Sequence, residues 1–81
     1  MTPAQCRAAR GLLGITQSQL AHAAGRGLST VVDFEKERRL VSLGAVEAIR
    51  AALERAGIEF IDENGGGEGL RLRKRRHPSK K

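Results

Sequence analysis

Apolar residues recur at the helical period of about 3.6 residues through the first two thirds of the chain, and they predict four short helices. At two of the expected helix starts a Thr is followed three residues later by a Gln, the pattern of a capping box. Glycines stand where three of the helices are expected to end. The predicted helices run from Pro3 to Gly14, from Gln17 to Gly25, from Leu28 to about Lys36, and from Ser42 to Gly57.

The pattern changes after Gly57. Residues 58–61 form a segment too short and too β-branched for a helix, residues 62–69 are rich in turn formers, and residues 70–73 alternate apolar and basic side chains. They predict a β-hairpin, or an arm that pairs with another chain. A lone hairpin is barely stable and its edges must be covered, which favours a dimer joined by an intermolecular sheet. The alternative is a hairpin folded back on the fourth helix of its own chain. The residues expected at the dimer interface are Ile58, Phe60, Ile61, Leu70 and Leu72.

Length and charge define how the chain is organised. Its 81 residues allow one domain with a modest core, which makes a partner chain a reasonable expectation. The formal charge is +6, and residues 73–81 alone hold six basic and no acidic side chains. Residues 1–46 hold six basic and three acidic side chains, whereas residues 47–72 hold three basic and six acidic ones. A basic tail of this kind is usually solvated and disordered, with mild affinity for polyanions. The predicted parts are a helical domain over 1–57, a β-arm over 58–73 and a basic disordered tail over 74–81.

Composition argues against several functional classes. The single cysteine, Cys6, allows no internal disulfide, no apolar run approaches the ~18 residues of a membrane span, and the N-terminus lacks a signal-peptide pattern. Two aromatic residues make a poor stacking platform for single-stranded nucleic acid. His22 and His77 have no partner at metal-ligand spacing, and no spacing suggests a nucleophile with its base. We therefore expect a cytoplasmic, nucleoid-associated protein that is not an enzyme and binds no metal, cofactor or membrane.

Residues 17–36 carry the most informative motif. Two short helices that cross steeply need a small residue where they approach, and Ala21 supplies it. The turn between them needs a residue that tolerates positive φ, and Gly25 supplies that. These features predict a helix-turn-helix, whose second helix enters the major groove of DNA. The apolar residues expected to face the shared core are Leu20, Ala24, Val31 and Phe34.

Taken together, Arg10, the Leu-Gly-Ile-Thr-Gln run at 13–17, Leu20-Ala21, Gly25 and Glu35 resemble the phage-repressor (Cro/C1, or Xre-type) family of helix-turn-helix regulators. The resemblance covers residues 4–56. It implies a mainly α, lambda-repressor-like domain of four to five helices that binds operator DNA as a dimer without catalysis. It also implies an inward ion pair between Arg10 and Glu35. The C-terminal residues 57–73 resemble the ending of a group of small bacterial regulators of this family.

Three positions depart from the family pattern. Arg26 replaces a turn residue that is usually apolar or β-branched, and Gly27 stands where Ser or Thr usually caps the third helix. Glu37 stands where Gly usually follows that helix. These departures leave the motif intact, but they make the ends of the third helix harder to predict.

Matching the family motif position by position gives two sets of DNA contacts. Asp33 can accept a hydrogen bond from cytosine N4, or it can pair locally with Lys36 or Arg38. Arg38 and Arg39 either bind phosphates or belong to a solvated loop. The expected base-reading residues are Leu28, Ser29, Val32 and Asp33. The expected phosphate-binding residues are Gln17, Arg26, Thr30, Lys36, Arg38 and Arg39.

The sequence as a whole predicts a double-stranded DNA-binding transcriptional regulator. We expect a repressor that binds a palindromic operator as a homodimer, with half-sites about one helical turn apart. One alternative is an antitoxin that neutralises a toxin protein and represses its own operon. Another is a protein-interaction adaptor that kept the fold but lost DNA binding. The basic tail is expected to add nonspecific DNA affinity.

Overall fold

The computed structural model describes residues 1–61 and 66–73. The predicted tail and residues 62–65 of the loop lie outside this part of the chain. The described residues form four helices followed by one antiparallel hairpin, which confirms the predicted mainly α fold with a C-terminal hairpin. The elements are α1 (Pro3–Leu13), α2 (Gln17–Ala24), α3 (Leu28–Lys36), α4 (Leu43–Arg55), β1 (Ile58–Ile61) and β2 (Gly69–Leu72).

Local capping explains why the first two helices begin where they do. Thr2 Oγ1 accepts a hydrogen bond from Gln5 N at 3.1 Å, while Gln5 Oε1 accepts one from Thr2 N at 2.8 Å. Thr16 and Gln19 form the same reciprocal pair at the start of α2. These are the two capping boxes that the sequence predicts, and each satisfies N–H groups that have no partner within the helix.

Helix α3 is capped by less usual residues at both ends. Gly27 precedes it without any side-chain hydrogen bond to the first turn. Glu37 follows it in the left-handed conformation, at φ 56° and ψ 38°, and its N–H bonds back to Asp33 O and Phe34 O. The helix therefore ends at Lys36 as predicted, but a side chain occupies a backbone conformation that usually belongs to Gly.

One apolar core joins all the elements except β2, which packs against it from the side. The buried side chains of the core come from α1, α2, α3, α4 and β1, so each of the four helices contributes apolar residues to it. Leu70 of β2 and Phe60 of β1 pack against this core from a partly buried position. Its buried members are Cys6, Ala9, Leu20, Ala21, Val31, Ile49, Ala52, Leu53 and Ile58.

The hairpin pairs within one chain. Ile58 lies opposite Leu72 and Phe60 lies opposite Leu70 in an antiparallel register. The sheet packs against α4 through β1 and against α1 through β2, and Gln5 Nε2 donates to Gly69 O at 2.8 Å. The alternative of a hairpin folded on its own α4 therefore describes this chain, with α1 as a second support that the sequence did not indicate.

Candidate nucleic-acid interface

The helix-turn-helix unit consists of α2, a tight turn and α3. Gly25 ends α2 in the left-handed conformation at φ 66°, and Arg26 N donates to Ala21 O at 3.0 Å. Leu20 of α2 and Val31 of α3 are fully buried in the shared core. The inner side of α3 is thus fixed by packing, and its outer side is left to solvent.

The residues predicted to read bases lie on that outer side of α3. Leu28 and Ser29 are exposed, whereas Val32 and Asp33 are half-buried. Their spacing along the helix places the four side chains on one face, separate from the side buried through Val31. A helix with one such open face has the shape required to lie in a major groove.

Asp33 has a local partner in this structure. Its Oδ2 accepts a hydrogen bond from Arg39 Nε at 2.8 Å. The expectation of Lys36 or Arg38 as that partner is wrong, because the chain turns back after α3 and carries Arg39 to the last turns of the helix. Among the described residues nothing occupies Asp33 Oδ1, so this oxygen is available to a hydrogen-bond donor.

Cationic side chains stand at both ends of α3. Arg26 lies in the turn before the helix, and Lys36 and Arg38 lie at its end. All three are exposed, and none forms an ion pair with another described residue. Thr30 is half-buried on the first turns of α3. The predicted phosphate contacts thus lie beside the predicted base contacts.

Gln17 opens α2, where backbone N–H groups are predicted to face a phosphate, and its side chain has a separate partner. Its Nε2 donates to Glu35 Oε1 at 3.0 Å, so the side chain turns toward the interior of the domain. Backbone N–H groups in the first turn of α2 can still face an anion, and that contact remains a prediction.

Glu35 is the centre of a buried polar network that holds α3 in place. Its side chain is 1% exposed, and it accepts hydrogen bonds from Arg10 Nε at 2.7 Å and Arg10 Nη2 at 2.8 Å. Cys6 Sγ donates to the same carboxylate at 3.1 Å, in addition to Gln17. Arg7 Nη1 donates to the backbone oxygen of Glu35. Because these donors come from α1 and α2, the network ties both helices to α3.

The network shifts the ionisation of its members. Burial by itself disfavours the Glu35 carboxylate, but hydrogen bonds from Arg10, Gln17 and Cys6 outweigh it and lower the pKa of Glu35 below its usual value. Burial raises the pKa of the Cys6 thiol, and its hydrogen bond to Glu35 raises it further. Cys6 is therefore a neutral donor to an ionised carboxylate, and its thiol is unreactive in the folded protein.

The sequence indicated Arg10 and Glu35 but not the other donors. Cys6 and Arg10 are four residues apart on α1, so their shared helix face was a signal that could have placed Cys6 beside Glu35. Arg7 and Gln17 gave no comparable signal, because the direction of a long polar side chain depends on how the helices pack.

The predicted dimer contacts of the hairpin are mostly used within the chain. Ile58 is fully buried in its own core, so its predicted contact with a second chain is wrong. Phe60 and Leu70 are half-buried against the same core. Among the described residues of the hairpin, only Ile61 and Leu72 leave a substantial apolar surface, and Leu72 is 48% exposed.

The described residues hold no candidate for a membrane-spanning helix or a metal site. No helix there is long and apolar enough to cross a membrane. Residues 1–61 and 66–73 also hold no group of three His, Cys, Asp or Glu side chains that could bind a metal ion together.

Comparison with known proteins agrees with this geometry. The family model described as helix-turn-helix matches residues 7–60, which include α2, the turn and α3. No curated protein matches the chain. The matched segment covers most of the described domain and contains the exposed face of α3 and every named member of the buried network except Cys6. The chain therefore belongs to the Cro/C1-type (Xre-like) helix-turn-helix family of DNA-binding transcription regulators.

Proposed function

We propose that this protein is a repressor that binds a palindromic operator as a homodimer, with α3 of each copy in the major groove. The observation that carries the proposal is an open face on α3 with exposed cations at both ends of the helix. DNA requires both features, because phosphate contacts position a protein and base contacts specify its site.

Affinity in this proposal comes from the cations beside α3. Arg26 lies before the helix, and Lys36 and Arg38 lie at its end. These side chains can therefore contact DNA phosphates on both sides of the major groove. Each phosphate that is neutralised releases a counterion, which makes binding fall steeply with salt. Arg39 has a second role, because its ion pair with Asp33 offsets a negative charge that would otherwise face the phosphates.

Specificity in this proposal comes from the four base-reading residues on the outer face of α3, none of which is Arg or Gln. Leu28 and Val32 are suited to thymine methyl groups, and the Ser29 hydroxyl suits either kind of base edge. Asp33 Oδ1 is suited to cytosine N4, with Oδ2 held by Arg39. Few strong bidentate contacts are available, so part of the selectivity is assigned to DNA shape.

Fluorescence anisotropy with labelled duplexes from the region upstream of the gene tests the proposal. We expect Arg38→Ala to weaken binding to all duplexes alike and to reduce the salt slope by about one. Val32→Ala should instead change the ratio of affinities between duplexes that differ at one base pair. Arg71→Ala on the hairpin is the matched control, because this exposed arginine lies on β2, outside the helix-turn-helix unit.

Two results would contradict this assignment. A change of base preference in Arg38→Ala would remove Arg38 from the phosphate contacts. Absence of binding to any duplex, by a protein that is folded, would favour the adaptor function. Repression itself is tested by a reporter fused to the bound promoter, whose expression should rise when the protein is removed.

A further inference from the structure

A groove lies on the side of the domain where α3 turns into α4. Its volume is about 930 Å³, and it runs between the start of α1, the 37–42 loop and the start of α4. Among its apolar lining residues Val41 is buried, and Phe34 and Val46 are half-buried. Arg39, one of the predicted phosphate contacts, lines this groove, whereas the predicted base-reading residues on the outer face of α3 do not.

Two leucines beside the groove are unusually exposed. Leu40 is 96% exposed and Leu43 is 72% exposed, and both line the groove. The next most exposed leucine in the described residues, Leu12, reaches 49%. Covering a leucine removes ~1.5–3 kcal/mol of unfavourable hydration, so two adjacent leucines left in water form a strong candidate for contact with another surface.

The charges of the groove favour a second copy of this chain as the occupant. Glu37 and Arg39 both line it, and both are exposed. A two-fold symmetric interface requires a surface that is complementary to itself. A patch with one acidic and one basic side chain around an apolar centre meets this requirement, because Glu37 of each copy can face Arg39 of the other.

The shape of the patch agrees with the same symmetry. Leu40 projects from the surface directly beside the groove, so each copy offers both an apolar knob and the space to receive one. Arg39 can take part while it remains paired with Asp33, because only its Nε is engaged within the described residues. Its terminal amino groups remain for a second carboxylate.

The hairpin is the weaker surface for this role. Ile58 is buried, and the exposed apolar residues of the hairpin, Ile61 and Leu72, are 36% and 48% exposed. The groove carries more exposed apolar area, and it lies next to the end of α3. Association through the groove therefore also fixes the spacing of the two reading helices.

We propose that two copies of this chain associate through the groove, with Leu40 of each copy seated in the groove of the other and Glu37 facing Arg39 across the interface. This inference rests on the homodimer of the proposed function and names its surface. The association of the two copies is measured without DNA, so a failure to dimerise is distinguishable from a failure to bind DNA.

Sedimentation velocity of the full chain tests the interface. We expect Leu40→Glu to raise the dimer Kd by on the order of 100-fold, because both copies lose a buried leucine and gain a charge. Leu12→Glu is the matched control, because Leu12 is an exposed leucine outside the groove, and it should leave the Kd unchanged. Leu72→Glu probes the hairpin and should also leave it unchanged. Circular dichroism melts establish that each variant is folded.

Mixing two charge variants tests the facing charges. Glu37→Arg and Arg39→Glu each place like charges opposite one another in a homodimer, so each variant alone should be largely monomeric. A heterodimer of the two restores both opposite-charge pairs, so mixing them should raise the weight-average mass. Arg39→Glu also removes the ion pair between Arg39 and Asp33. This pair is missing both before and after mixing, so it does not affect the comparison.

Four results would overturn the inference. The first is a wild-type chain that is monomeric at about 500 μM, where a dimer with a Kd of about 1 μM is almost fully formed. The second is a Leu40→Glu variant that still dimerises, and the third is a mixture whose mass stays at the monomer value. The fourth is dissociation by Leu72→Glu alone, which would assign the interface to the hairpin. A monomeric wild type that binds another protein through Leu40 would assign the groove to a different partner. Loss of DNA binding by a protein that still dimerises would count against the proposed function only.

Discussion

Removing Arg10 should destabilise the fold far more than removing a surface charge. Arg10→Ala takes away two of the hydrogen bonds to Glu35, at 2.7 and 2.8 Å, and leaves a carboxylate that is 1% exposed. Breaking one side of a buried pair typically costs ~3–5 kcal/mol. Gln17 and Cys6 still donate to Glu35, so we expect the lower end, about 3 kcal/mol.

That loss is a large part of the total free energy of unfolding of a small domain. Unfolding free energies of natural domains are about 5–15 kcal/mol, and a chain of this length lies toward the bottom of the range. The matched control is Glu54→Ala, which removes an ion pair on α4 whose two side chains, Arg50 and Glu54, are 36% and 43% exposed. Such a pair is worth less than ~1 kcal/mol.

Urea unfolding followed by far-ultraviolet circular dichroism measures both variants, since the chain has no Trp or Tyr for fluorescence. The urea midpoint should fall strongly for Arg10→Ala and little for Glu54→Ala, with similar slopes. The double variant Arg10→Met/Glu35→Leu should recover much of the loss, because an apolar pair leaves no buried charge. Equal effects of Arg10→Ala and Glu54→Ala, or strictly additive single substitutions at 10 and 35, would refute this account of the network.

Three further predictions concern the loop after α3, acid stability and the tail. Glu37→Gly should stabilise the monomer by about 0.5–1 kcal/mol in thermal melts, because it relieves a left-handed φ of 56°, whereas Gly14→Ala at φ 70° should destabilise it by a similar amount. The pKa of Glu35 is lowered in the folded state. Its contribution to the free energy of unfolding is therefore complete at pH values above the ordinary glutamate pKa, and it is lost as the pH falls through the lowered pKa. In the Glu35→Gln variant the urea midpoint should therefore fall less steeply at acidic pH than in the wild type. An unchanged fall would count against this role of Glu35. Deleting residues 74–81 should lower DNA affinity and the salt slope without changing sequence preference, and an unchanged slope would show that the tail does not touch DNA.

The helices were predictable from sequence because their signals are local. Each capping box spans four residues, and the glycines at 14 and 25 adopt the left-handed conformation that their positions required. No knowledge of the rest of the fold was needed to read either signal. The same is true of the hairpin strands, whose alternation and glycine-rich connection are contained in 16 residues, 58–73.

The direction of long polar side chains was not predictable in this way. Gln17 turns to Glu35, and Arg39 turns to Asp33, although the sequence indicated neither of these partners. A long side chain selects among several partners within reach, and the choice depends on where neighbouring helices place those partners. Such choices are set by tertiary packing, which a single sequence does not contain.

The spacing of apolar residues along the chain could not predict that Leu40 and Leu43 are exposed. An apolar residue at a helix start or in a loop is read as a core residue or passed over, because the pattern does not show which surfaces the fold leaves uncovered. The structure shows both leucines in solvent around one groove. This exposure cannot help the single chain fold, and it makes sense as part of an interface.

Glu37 connects the backbone of this loop to that interface. At φ 56° a Gly would be more stable, so the glutamate carries a conformational cost of roughly 1 kcal/mol for the single chain. Its side chain lines the groove, where it supplies the acidic half of a self-complementary pair with Arg39. Glu37→Gly should therefore move two measurements in opposite directions, raising the melting temperature of the monomer while weakening the dimer. A variant that gains stability and keeps its dimer Kd would leave the glutamate at this position without a function in the interface.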